Sequence, residues 1–114
     1  MSVVTRPFRH WPVAALVVFL AGCSAEAIRI VTEATDTAST VFRERKDEAR
    51  IQRDHAASSR LGELSVGPNR LTVQELQPLK AAIVSAKADG TVSPDEADRI
   101  LVEMERAAAL RPSR

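Results

Sequence analysis

Covalent chemistry in this 114-residue chain centres on Cys23, its only cysteine. Cys23 follows Leu20, Ala21 and Gly22 at the end of a short apolar run. A cysteine thiolate is a good nucleophile and can take up a diacylglyceryl group. The two small residues before it let a peptidase bind the extended backbone closely and cut there. These four residues therefore make Cys23 the candidate site of covalent modification in this chain.

The segment before Cys23 has the composition of an export signal. Arg6 and Arg9 make its start positive without any acidic residue, and the run from Trp11 to Leu20 is apolar. That run is about half the length of a membrane-spanning helix. We expect residues 1–22 to be removed as a signal peptide. The alternatives are a cysteine buried in a short core helix and an uncleaved membrane anchor, which the shortness of the run disfavours.

Leu20-Ala21-Gly22-Cys23 resembles the lipobox of bacterial lipoproteins at all four positions. The resemblance implies export, an acylated Cys23 and a membrane lipid as its immediate partner. The next residue is Ser24, whereas aspartate at that place is associated with inner-membrane retention in some bacteria. The resemblance therefore implies the periplasmic face of the outer membrane. Two or more acyl chains hold a protein firmly at a membrane, whereas a single chain does not.

Composition limits what the remaining chain can do. The signal segment carries two of the 16 basic residues and none of the 15 acidic ones, which leaves 14 basic against 15 acidic residues. Nucleic-acid binders need a surface of one positive sign, so this near-neutral balance argues against nucleic acid as a partner. With Cys23 lipidated, no disulfide can form. The chain is rich in alanine, which favours helices but buries little apolar area.

Residues 25–60 contain neither Gly nor Pro, which favours one long helix of roughly 50 Å. We therefore predict a helical stalk that follows the lipidated cysteine and extends over residues 23–60. Its apolar side chains follow a spacing of three or four residues and lie on one face. They are Ile28, Val31, Thr35, Ala38 and Phe42.

The second half of the predicted stalk is mostly charged. Arg43 with Asp47 and Arg50 with Asp54 have the i,i+4 spacing of helical ion pairs. Two interpretations of the stalk remain open. It is either a weak coiled coil that docks a partner through its first three turns, or a solvated single helix with a frayed end.

The last third of the chain predicts an αα-hairpin over residues 72–110, joined to the stalk by a linker over residues 61–71. Gly62, Gly67 and Pro68 mark the linker, whose leucines are apolar enough to pack. Two apolar stripes define the hairpin, and residues 111–114 should fray. The stripes are Val73, Leu76, Leu79, Ile83 and Ala86, then Ala97, Ile100, Leu101, Met104 and Ala108.

Both predicted hairpin helices carry start signals. Thr72 with Glu75 and Ser93 with Glu96 have the spacing of a capping box. Pro78 interrupts the first helix, so it either kinks that helix or starts it anew. The fold class expected for the whole chain is all-α.

The segment from Ala88 to Glu96 resembles an EF-hand loop and the Ala-Asp-Gly turn of TerB-type domains. With Gly90 at the sixth position of a calcium loop, Glu96 falls at the twelfth. However, Lys87 occupies a ligand position, where its ammonium group would repel the ion. The capping signals explain the turn without an ion, so we predict no metal and keep only three candidate ligands. They are Asp89, Asp95 and Glu96.

Catalytic motifs are missing from the sequence, which lacks a phosphate loop, a dinucleotide turn and HExxH. His55 is the only histidine after Cys23, and its charged neighbours favour a solvated side chain over a catalytic base. We therefore expect a non-enzymatic envelope lipoprotein without a cofactor that binds another envelope protein. The alternatives are a divalent-metal-responsive module, whose thermal unfolding would depend on calcium, and a phage- or plasmid-encoded lysis or exclusion lipoprotein.

Overall fold

The structure is a computed structural model, and it describes residues 25–112. In this range all regular secondary structure is α-helical, which confirms the all-α prediction. Helix α1 covers residues 25–44 of the described chain, and three further helices follow it. They are α2 (Glu48–Glu63), α3 (Gln77–Lys87) and α4 (Pro94–Ala108). The predicted lipobox, Leu20 to Cys23, lies outside the described residues.

The prediction of one continuous helix over residues 25–60 is wrong, because α1 and α2 are separate helices. The end of α1 is a Schellman motif, in which Lys46 has a φ of +55°. The N–H of Asp47 donates to Phe42 O at 3.0 Å, and that of Lys46 donates to Arg43 O at 3.1 Å. Asp47 then caps α2 by accepting a hydrogen bond from the Arg50 N–H at 3.2 Å.

Ion pairs between helices show their relative directions. Glu26 and Glu33 of α1 pair with Lys80 and Lys87 of α3 at 3.6 and 3.4 Å. Both partners advance by seven residues, so α1 and α3 run parallel. Arg50 of α2 pairs with Asp98 of α4, and Arg53 pairs with Glu105. The residue numbers of both partners increase together, so α2 and α4 also run parallel. The four helices therefore run alternately up and down.

The two ends of the helical bundle differ in the connections that they contain. The turn end contains the two tight connections, residues 45–47 and 88–93. The loop end contains the first described turn of α1, the connection over residues 64–76 and the end of α4. Arg111, which follows α4, joins the last two by bonding to Glu75 at 2.9 Å and to Asn69 O at 3.2 Å. Arg111 is thus held in place, contrary to the predicted frayed tail, whose last two residues lie outside the description.

One apolar core unites the described helices. All four helices and the 64–76 connection contribute buried side chains to it. Its largest fully buried members are Phe42, Leu61, Leu76, Leu79, Ile100, Leu101 and Met104. The predicted stalk therefore packs against the predicted hairpin and does not stand apart from it.

The buried face of α1 differs from the predicted one. Val31, Ala38 and Phe42 are buried as expected, but Ile28 remains 43% exposed. The face that packs is instead rich in alanine, with Ala27 and Ala34 both inside the core. Since this face is covered by the chain's own helices, it is not free to dock a partner as a coiled coil would.

The hairpin follows the prediction closely. Ser93 and Glu96 form both hydrogen bonds of a capping box at the start of α4. Thr72 and Glu75 make the same pair of bonds, but they cap only a single turn. Pro78 then starts α3 anew, in the first turn, where its missing N–H removes no helical hydrogen bond.

We predict that Ile100→Ala will destabilise the protein by about 2–4 kcal/mol, because its side chain is fully buried between helices. The matched control is Val84→Ala, which shortens a β-branched side chain that is 62% exposed on α3. It should change the free energy of unfolding by less than about 0.5 kcal/mol. Urea unfolding followed by circular dichroism measures both. Equal losses in the two variants would contradict the described core.

Candidate functional site

The backbone of the α3–α4 turn requires a glycine at position 90. Gly90 has a φ of +87°, in the left-handed region, where a side chain is strained. Its N–H donates to Lys87 O at 3.1 Å and so closes the end of α3. Ser93 opens α4 three residues later. The turn therefore has a sufficient structural explanation in its own sequence.

The three candidate metal ligands do not converge in the structure. Glu96 accepts a hydrogen bond from the Ser93 N–H at 2.8 Å, so its carboxylate is engaged in the helix cap. Asp89 and Asp95 are exposed. Within residues 25–112, no group of three or more His, Cys, Asp or Glu side chains has the geometry to hold a metal ion.

A groove lies at the turn end, between the last three turns of α1, the end of α3 and the later part of the α3–α4 connection. Its volume is about 480 Å³. The walls combine hydroxyl, carboxylate and ammonium groups with two valines. The lining residues are Asp36, Thr37, Thr40, Val41, Glu44, Lys87, Thr91 and Val92.

The groups that line the groove do not form a nucleophile, base and acid set. The Thr40 hydroxyl donates to Asp36 O at 2.7 Å and is thus used by its own helix. The Lys87 ammonium pairs with Glu33 at 3.4 Å. His55, the candidate base, is exposed on α2 and does not line the groove. This chemistry suits hydrogen bonding to a polar or peptide surface.

Arginines of α2 reach across to acids of α4. The guanidinium of Arg50 donates to Asp47 at 2.7 Å and to Asp98 at 2.8 Å, and Arg53 makes two bonds to Glu105. These side chains are partly exposed, so each pair adds little stability but fixes which sides of the helices meet. The hydrogen bonds from Arg50 lower the pKa of Asp47.

The predicted i,i+4 ion pairs are not formed. Asp47 pairs with Arg50 in place of Arg43, because Asp47 is the N-cap of α2 and not a mid-helix residue. Arg50 in turn bonds to Asp98 on α4, and it forms no ion pair with Asp54. The break between α1 and α2 thus accounts for the changed partner of Asp47, and the packing of α2 on α4 accounts for that of Arg50.

Asp54 is the most unusual polar residue of the described chain. Its side chain is only 3% exposed, and its Oδ1 has no hydrogen-bond partner. Burial raises the pKa of Asp54 to about 6, although the positive charges of His55 and Arg43 oppose the shift. A buried carboxylate without partners destabilises the fold when it is ionised.

The sequence contains a signal for the burial of Asp54 that is visible only once α2 is known. Asp54 precedes Ala57 by three residues and Leu61 by seven, which is the spacing of one helix face. A continuous helix from residue 25 places Gln52 and Ala56 on the apolar face instead. The predicted continuous helix therefore leaves Asp54 off its apolar face, so the burial of this acid was not predicted.

Comparison of the sequence and the structure with known proteins finds no relative. No protein-family model, no curated protein and no solved structure matches this chain. In the part of the chain that the structure describes, no helix is both long enough and apolar enough to cross a membrane.

We predict that Asp54→Asn will change the pH dependence of stability. The pKa of Asp54 is raised in the folded state, so its stabilising contribution is present below pH 4 and is lost as the pH rises through about 6. Wild type should lose up to about 3 kcal/mol over this range relative to the variant. Urea unfolding between pH 4 and pH 7.5 measures the difference.

The matched control for this prediction is Asp89→Asn, which changes an exposed carboxylate in the α3–α4 turn. The difference in unfolding free energy between wild type and this control should stay nearly constant with pH. A difference between wild type and Asp54→Asn that is equally constant would show that Asp54 is solvated in the folded protein.

Proposed function

We propose that this protein is a small, non-enzymatic envelope lipoprotein that binds another envelope protein through its helical domain. The observation that carries the proposal is the Leu20-Ala21-Gly22-Cys23 motif after a positive, apolar leader. Acyl chains on Cys23 would hold the protein at the periplasmic face of the outer membrane. No cofactor and no nucleic acid take part in the proposed role.

Binding, and not catalysis, is supported by the groups that the fold brings together. The groove at the turn end offers Thr37 and Thr91 hydroxyls beside Val41 and Val92, with no base or nucleophile set among its walls. Mixed polar and apolar walls of this kind suit a protein surface. The groove lies at the opposite end of the helices from the start of α1, so a partner could reach it in an anchored molecule.

The metal-responsive alternative has less support. It would need Glu96 as a bidentate ligand, yet this carboxylate is bonded to the Ser93 N–H. An exchange of that cap for an ion would cost the stabilisation that the cap provides, about 1 kcal/mol. The phage- or plasmid-encoded alternative concerns the origin of the gene, and gene neighbours would decide it.

We predict that Cys23→Ser will abolish lipidation and leave an uncleaved precursor. In cells fed a radiolabelled fatty acid, the wild-type protein should take up label and lose residues 1–22, whereas the variant should do neither. The matched control is Ser24→Ala, which keeps the thiol and should be labelled like wild type. An unlabelled wild-type protein of full-length mass would contradict the proposal.

A further inference from the structure

The predicted anchor leaves almost no tether. Only Ser24 separates Cys23 from residue 25, which is already helical. Two residues span at most about 8 Å. The helix that follows is about 30 Å long at 1.5 Å per residue. If Cys23 is lipidated, the first turn of α1 must therefore stay close to the lipid headgroups.

The loop end of the bundle is fixed to that first turn. Glu26 in α1 pairs with Lys80 near the start of α3 at 3.6 Å. The end of α4 is joined to the same region, since Arg111 bonds to Glu75 and to Asn69 O. The start of α1 therefore brings the 64–76 connection and the end of α4 towards the membrane with it.

Apolar side chains are exposed at this end. Val66, in the connection after α2, is 57% exposed, and Leu110, after α4, is 49% exposed. Large apolar side chains exposed beside basic groups are the composition of surfaces that enter the headgroup region of a bilayer. Exposed apolar side chains such as Val66 and Leu110 suit contact with lipid.

Charge differs between the two ends. Four acids of the loop end are each paired with a base, in the pairs Glu26–Lys80, Glu63–Arg60, Glu75–Arg111 and Glu103–Arg106. Arg29 and Arg70 have no carboxylate within 4.0 Å among residues 25–112, so the loop end has an excess of positive charge.

The turn end has a small net negative charge. Residues 43–50 and 87–98 contain seven acidic and five basic residues, so Asp89, Asp95 and Glu96 are only partly offset by bases such as Arg43 and Arg45. A bundle that is positive at one end and negative at the other is oriented by a negatively charged surface. The charges and the short tether therefore favour the same orientation.

We propose that the loop end of the bundle lies on a phospholipid surface that contains anionic headgroups, with Val66 and Leu110 in contact with lipid. This orientation rests on the proposed lipidation of Cys23. It directs the turn end and its groove away from the membrane. The helical domain is then a rigid body on the bilayer and not a freely swinging head.

The test uses the full lipidated protein in vesicles of phosphatidylethanolamine and phosphatidylglycerol. Single cysteines at Val66→Cys, Leu110→Cys and, as the control at the turn end, Thr91→Cys carry an environment-sensitive fluorophore. Brominated lipid should quench the first two labels, and aqueous iodide should quench them about threefold less than the Thr91 label. Arg29→Gln with Arg70→Gln should reduce quenching by brominated lipid, whereas Arg43→Gln with Arg45→Gln should not.

The outcomes separate this inference from the proposed function. A mass spectrum that shows no lipid on Cys23 overturns both. A lipidated protein whose three labels respond equally overturns only the orientation. Protection of Val66 and Leu110 from iodide without quenching by brominated lipid also overturns it, because a protein would then cover the loop end. Equal effects of the two double arginine variants would remove the role of charge and contradict the proposal as stated.

Discussion

The packing of α1 against the other helices is the contact on which the rest of the structure depends. The buried face of α1 is lined by Ala27, Ala34 and Ala38, so its backbone can approach its neighbours closely. Alanine buries little area, and a hairpin of α3 and α4 alone would have a small core for its length. Ile30, Val31 and Phe42 of α1 add the larger apolar groups that complete this core. A chain with no disulfide and few aromatic residues thus gains stability by joining all four helices into one unit.

This packing also determines which surfaces remain for function. The apolar face of α1 is covered, so a partner cannot use it without unfolding the domain. What remains are the sides of the helices, where arginines of α2 pair with acids of α4, and the two ends. The turn end offers a groove with mixed polar and apolar walls, whereas the loop end offers exposed Val66 and Leu110 and also contains Arg29 and Arg70. In the proposed orientation the loop end lies on lipid, and the turn end faces away from the membrane.

The sequence predicted the parts of this fold that depend on local chemistry. The Ser93–Glu96 box, the turn at Gly90 and both hairpin stripes follow from residue types at fixed spacings, and the structure has them. The break after α1 was missed because Lys46 occupies a left-handed position that usually carries Gly. Because the break was missed, the predicted apolar face of α2 was displaced along the sequence and did not include Asp54. The burial of Asp54 also depends on contacts with residues distant in sequence. Cross-helix pairs such as Arg50 with Asp98 likewise leave no local pattern. The lipidation of Cys23 stays a prediction, since that residue lies outside the described range.

Helix α1, which follows the predicted anchor, shares a single cooperative core with α2, α3 and α4. Native-state hydrogen exchange of the mature protein tests it most directly, by comparing amides of α1 near Ala38 with amides of α4 near Leu101. Both residues are fully buried, so their amides should open with free energies that agree within about 1 kcal/mol and that approach the global value. Fast exchange throughout α1 and α2, with slow exchange confined to α3 and α4, would contradict the account and restore an independent stalk.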